Sequence, residues 1–150
     1  MNFKKKTTEF FYITVLGFVS FFVNYFFGHQ GLMPLDDLQN FNSGYRVLSG
    51  DFPFVDYYSV TGPLLDIWQA FFFNILGVSW SSFVVHSSFL NCLYSLSIYL
   101  FLKELRFNIF NIFCYCLSAG ILMYPPAGTP TVEHHSLIIS TMGLIFFMIG

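Results

Sequence analysis

FFYITVLGFVSFFVNYFFGHQGLM, residues 10–33, is the stretch whose reading decides the fold class. A helix needs about 20 predominantly apolar residues to cross roughly 30 Å of hydrocarbon. This run exceeds that, with only Asn24 and His29 as strongly polar interruptions. MNFKKK precedes it, so the start resembles a signal peptide. The run is too long for a signal core and lacks a small-x-small cleavage site, which points to a retained signal anchor.

Working outward, three more long apolar runs follow: 80–102, ended by LKELRF; 107–124, ended by PPAGTP; and 136–150. Composition agrees. Hydrophobic residues make up 55% of the chain, 22 Phe and 9 Tyr stand among 150 residues, and only 9% are charged. Mean hydropathy is +0.64. So little polar material cannot cover a globular surface, so the expected class is an all-α integral membrane protein, a polytopic helix bundle. A net charge of −2 gives no basis for nucleic-acid binding. Cys92, Cys114 and Cys116 lie inside apolar runs without ligand spacing, so they read as structural.

Charge sets the expected orientation. With Lys4, Lys5 and Lys6 in the cytoplasm and Lys103 and Arg106 there too, an even number of crossings must separate the two groups. Spans at 10–33 and 80–102 satisfy this. Pro63–Leu76, apolar but short and carrying Asp66 and Gln69, is then a re-entrant or interfacial helix with its Phe71–Phe73 cluster at the lipid boundary. Residues 34–79 and 125–135 become outer loops, and of the six basic residues Arg46 alone lies outside.

The first outer loop opens with a patterned segment. Leu35, Leu38, Phe41, Tyr45 and Leu48 recur at helical spacing opposite Asp36, Asp37, Asn40 and Ser43, predicting a short amphipathic helix over 35–49 that Gly50 ends. Asp36 and Asp37 have two readings. Behind Pro34 they are a good helix start, because carboxylates meet free N–H groups and the positive end of the dipole. At a water–membrane boundary, a carboxylate pair can also deprotonate an acceptor hydroxyl or hold a divalent cation. The second outer loop, MYPPAGTPTVEHHS, adds Glu133, His134 and His135 at the outer end of a span, a cluster costly enough to suggest function. The plainer reading is a solvated helix start with Thr131 as N-cap. His29 and His86 read as packed or interfacial histidines, and EHH is not the HExxH of a metalloprotease.

Taken in order, these elements are an N-terminal span, an acidic pair, a short helix carrying Arg46, then Gly50-Asp51-Phe52-Pro53-Phe54 with Asp56, then Gly62-Pro63 and an aromatic-rich helix closing on Gly77. The order resembles the start of a GT-C type membrane glycosyltransferase, in the branch of the protein mannosyltransferases and aminoarabinose transferases. Glu133 with His134 stands where that family carries an acid in its second outer loop. The resemblance implies transfer of a sugar from a polyprenyl-phosphate donor to an acceptor on the extracytoplasmic face of the inner (cytoplasmic) membrane. It implies that Asp36 or Asp37 is the base, the choice being open. It gives Arg46, Asp56, Glu133 and His134 a part in binding acceptor or lipid phosphate, and makes Asp56, Glu133 and His134 candidate ligands of a divalent cation; no other cofactor is implied. The family's membrane domain has more spans than these four, so the chain is expected to be the N-terminal part of a longer reading frame. Two other classes stand beside the transferase: a lipid-linked glycan transporter or polymerase, whose interior cations these spans lack, and a small membrane scaffold without chemistry.

Overall fold

The computed structural model describes residues 3–150, with side chains from Thr7 onward. The basic run Lys4–Lys6 lies on the first helix, but its side chains fall outside the described ones, as do Met1 and Asn2 altogether. Among the described residues there are six helices and no strand: α1 (Phe3–Phe27), α2 (Pro34–Leu48), α3 (Pro63–Leu76), α4 (Trp80–Glu104), α5 (Ile109–Leu122) and α6 (Val132–Ile149). Three of these are long and apolar enough to cross a membrane: α1 from Thr7, α4 and α6.

The expected span over 107–124 is shorter than the sequence suggests. Asn108 caps α5 by accepting the Phe110 N–H, and the helix ends at Leu122, ahead of Pro125-Pro126. Its 14 residues rise about 21 Å, less than a hydrocarbon core. Conversely, α6 begins at Val132, four residues before the apolar run expected from Ser136.

α1, α4, α5 and α6 run up and down beside one another. α1 packs on α4 and α5, and α4 also packs on α5 and α6. At one end Trp80 donates its indole N–H to the Gly28 carbonyl, so the last turn of α1 meets the first of α4. At the other, Lys103 pairs with Glu9, which also accepts from Tyr99. The links 28–79 and 123–131 therefore gather at one end, with the α4–α5 turn and the start of α1 at the opposite one.

The packing is inverted relative to a water-soluble bundle. Ser20, Asn24, Ser87, Ser88, Asn91 and Ser95 are buried, while Phe10, Phe11, Phe18, Phe26, Leu100 and Phe147 are exposed. The buried set forms a hydrogen-bonded seam: Ser20 donates to Ser95, Asn24 to Ser87 and Ser88, and Asn91 to the carbonyls of Ser20 and Gly120. Small polar residues let helices approach closely and bond across the contact where surrounding solvent offers no apolar driving force. Apolar clusters fill the remainder, one around Leu16, Tyr99, Ile112 and Cys116, the other around Leu90, Tyr124 and Ile138.

α2 and α3 form a pair across the gathered end. Both start with Pro at the first helical position, and Gly50, at φ +101°, lets the chain turn out of α2 where a side chain would be strained. The inversion holds here too: Asp37, Asn40, Ser43 and Gly44 of α2 face inward, while Leu35, Leu38 and Tyr45 are exposed. α3 lies along the first turns of α4, with Phe72 stacked on His86. Of the expected lipid-boundary cluster only Phe71 is exposed; Phe73 is buried against Phe41.

Candidate functional site

The two loop regions interlock at the gathered end. Thr129 donates its hydroxyl to Asp37 Oδ1 at 2.6 Å, and Asn40 Nδ2 donates to the Pro130 carbonyl at 2.9 Å. Gly128 is wedged against Gly28, and its carbonyl accepts from Asn24 Nδ2 at 3.1 Å and Ser87 Oγ at 2.7 Å. Three helices thus converge on a few loop atoms.

The acidic pair divides at this junction. Asp37 is 1% exposed and its second oxygen accepts the Met33 N–H at 2.6 Å, so it ties the start of α2 to the second loop. Asp36, one residue earlier, is exposed, and its carboxylate makes no hydrogen bond or ion pair among the described residues. Asp37, and not Asp36, lines a cleft of about 340 Å³ together with Phe27, Gln30, Met33, Pro125 and Ala127 among others. Its walls come from the end of α1, the start of α2 and the second loop.

Arg46 and Asp56 serve the loop between α2 and α3. Arg46 Nε donates to Asp51 at 2.7 Å, its Nη2 donates to the Asp56 carbonyl at 3.0 Å, and its guanidinium lies 4.6 Å above the Tyr57 ring. The Asp56 carboxylate accepts the Phe52 N–H at 2.7 Å and closes a turn. The strongest anchor is a residue the sequence gives no role. Asp66, expected on a re-entrant or interfacial helix, is fully buried, accepting from Tyr57 at 2.7 Å, Ser59 at 2.6 Å and Thr61 at 3.4 Å. Burial, and then the adjoining Asp66 carboxylate, raise the Tyr57 phenol above its usual range and keep it a donor. Asp66→Ala should therefore strand the buried Ser59 hydroxyl at a cost of about 1–3 kcal/mol. Limited proteolysis reads this out: residues 51–62 should be cut faster with the helices still protected, and cutting at the wild-type rate would remove Asp66 as the anchor.

Below the junction runs a buried polar chain. The Thr131 N–H donates to the Tyr124 oxygen at 3.4 Å, and Tyr124 donates to His135 Nδ1. His135 Nε2 meets His86 Nε2 at 3.0 Å, and His86 Nδ1 donates to Gln69 Oε1 at 2.8 Å. With the glutamine oxygen as terminal acceptor, His86 carries its proton on Nδ1 and His135 on Nε2, so His135 Nδ1 accepts from Tyr124 and has no proton for the Thr131 carbonyl 3.0 Å away. The chain joins α3, α4 and α6 to the second loop. Sequence reasoning includes His135 in the Glu133-His134-His135 cluster but gives the binding role to His134, and it assigns His86 no role in a site. His86 and His135 stand 49 residues apart, and nothing local in the sequence couples them.

Glu133 is exposed, and His134 is turned back to bond the Thr131 hydroxyl at 2.7 Å. Thr131 does occupy the N-cap position of α6, but its hydroxyl goes to His134 instead of the helix N–H groups. Among the described residues no three His, Cys, Asp or Glu side chains are grouped to hold one ion. Asp56, Glu133 and His134, the expected ligand set, are thus dispersed over separate tasks. The structure brings Asp37 to the second loop; it gives Arg46 and Asp56 to their own loop.

Compared with known protein families, characterised proteins and solved structures, the chain matches none. What fold and site define is a class: an all-helical protein with three helices of membrane-crossing length and composition, closed at one end by two interlocked loops.

Proposed function

We propose that the chain belongs to the membrane domain of a multi-pass glycosyltransferase of GT-C type, moving a sugar from a polyprenyl-phosphate donor to an acceptor at the extracytoplasmic face of the inner membrane. One observation supports this reading above others: Asp37 lines a cleft at the end where the long apolar helices stop, and the residue before it, Asp36, carries an exposed, unpartnered carboxylate. In this reading Asp36 takes the proton of the acceptor hydroxyl while the hydroxyl oxygen bonds to the anomeric carbon. The sugar–phosphate bond breaks and its electron pair leaves with the lipid phosphate. Asp37 holds Asp36 in place by fixing the first turn of α2 to Thr129.

A specific observation also favours the scaffold reading. Asp37, Arg46 and Asp56 all have structural partners, which a protein without chemistry would equally need. Purified protein in vesicles with a radiolabelled polyprenyl-phosphate hexose or pentose separates the two. Label passing to water or to a supplied acceptor faster than in protein-free vesicles is the expected result. With the full reading frame in the vesicles, no turnover of either donor leaves the scaffold.

A further inference from the structure

The loop from Asp51 to Thr61 displays apolar side chains in a direction it cannot easily change. Phe52, Phe54, Val55, Tyr58 and Val60 are exposed, Val55 and Tyr58 at 77% and 79%. They are held there from inside: the Phe54 N–H donates to the Tyr57 carbonyl at 2.8 Å, Arg46 clamps Asp51 and the Asp56 carbonyl, and Tyr57, Ser59 and Thr61 bond to buried Asp66. Leaving apolar area in water costs about 25 cal/mol per Å², so a loop standing in water would gain by folding these groups inward. Here the polar residues point in and the apolar ones out.

The loop's level in the molecule identifies what meets it. Thr61 and Leu64 share a cleft of about 170 Å³ with Val132, His135, Ile139 and Ser140 of α6. Ser140 lies eight residues along from Val132, about 12 Å at 1.5 Å per residue. The headgroup layer of a bilayer is only about 5–8 Å deep on each side. If the end of α6 reaches the membrane surface, the stem of the loop is below it, at the flank of the bundle. The exposed face continues into α3 through Leu64, Ile67, Phe71 and Ile75. Of its two acids, Asp51 is paired with Arg46, while Asp56 accepts a backbone N–H and keeps its negative charge at the edge of the face.

We propose that residues 52–60 form a preformed membrane wedge whose Phe52, Phe54, Val55, Tyr58 and Val60 seat in the headgroup–acyl boundary beside the α2/α3 end. The wedge fixes the height of the junction above it, so that the cleft lined by Asp37 stays level with lipid headgroups. It rests on the reading that the long helices cross a bilayer, and that reading is checked separately by retention of the wild-type protein in membranes after an alkaline wash. The wedge itself is tested with Tyr58→Trp and Val60→Trp, made singly and reconstituted in phosphatidylcholine vesicles, following the emission added to that of Trp68 and Trp80. The expected result is blue-shifted added emission that loses most of its intensity to acyl-brominated lipid and little to aqueous iodide. Quenching by iodide would place the loop in water and overturn the proposal. Blue-shifted emission quenched by neither would mean that protein covers the loop, which overturns it equally. Either failure, in a protein retained after the alkaline wash, leaves the spanning helices standing.

Discussion

Asp36→Asn should lower transfer from a polyprenyl-phosphate sugar by about 10² to 10⁴, the contribution of one positioned general base, equal to roughly 3–5 kcal/mol of barrier. The change removes the charge while keeping the size, at an exposed site without a partner, so folding should be unaffected. Asp37→Asn acts differently. Its two oxygens hold the Met33 N–H and the Thr129 hydroxyl, and an amide can accept only one of these. It should lower the thermal transition as well as turnover, because the first turn of α2 comes loose from the second loop. Kinetics and melting of the two variants in the same detergent tell the roles apart. If Asp36→Asn turns over near wild type while Asp37→Asn only melts earlier, the pair is a helix start and a clasp, and the transferase reading loses its base. Glu133→Gln, exposed at the start of α6, should impair turnover less than Asp36→Asn, since nothing in the structure joins it to the cleft.

The sequence carries the elements but not which way they face. Apolar runs mark α1, α4 and α6 because lipid-length helices need a fixed number of apolar residues. Pro34, the acidic first turn and Gly50 mark α2 within one residue at either end. Periodicity shows that α2 has an apolar and a polar face, yet it is silent on which looks inward. In water the apolar side would; here Asp37, Asn40 and Ser43 do, since the partners that need hydrogen bonds lie inside. The same reversal hides Asp66, which reads as an exposed acid on an apolar helix and is in fact the buried anchor of a loop. α5 is overestimated for a different reason: hydropathy continues through Tyr124, but Asn108 and the Pro pair set where a helix can begin and end. His86 with His135, and Asp37 with Thr129, are pairings across 49 and 92 residues that exist only once the helices stand side by side.

Gly128→Ala is expected to have the largest effect on stability. A Cβ at this position would lie 2.6 Å from both the Cα and N of Gly28 and 2.9 Å from the Phe27 carbonyl carbon, all backbone atoms that cannot rotate away. The residue also sits at φ +74°, where an L side chain adds its own strain. Overpacking costs about 1–3 kcal/mol and the left-handed backbone about 1–2 kcal/mol, so a loss of about 2–5 kcal/mol is expected. Its consequence reaches the site. Pushing residue 128 away from α1 withdraws the carbonyl that Asn24 and Ser87 share, and moves Thr129, the partner of Asp37. Gly31→Ala, with nothing within 4 Å of the added carbon, is the control and should stay within about 0.5 kcal/mol of wild type. Thermal unfolding in one detergent compares the two. Equal transitions would mean that the end of α1 and the second loop are not in contact, and the junction holding the acidic pair would have to be redrawn.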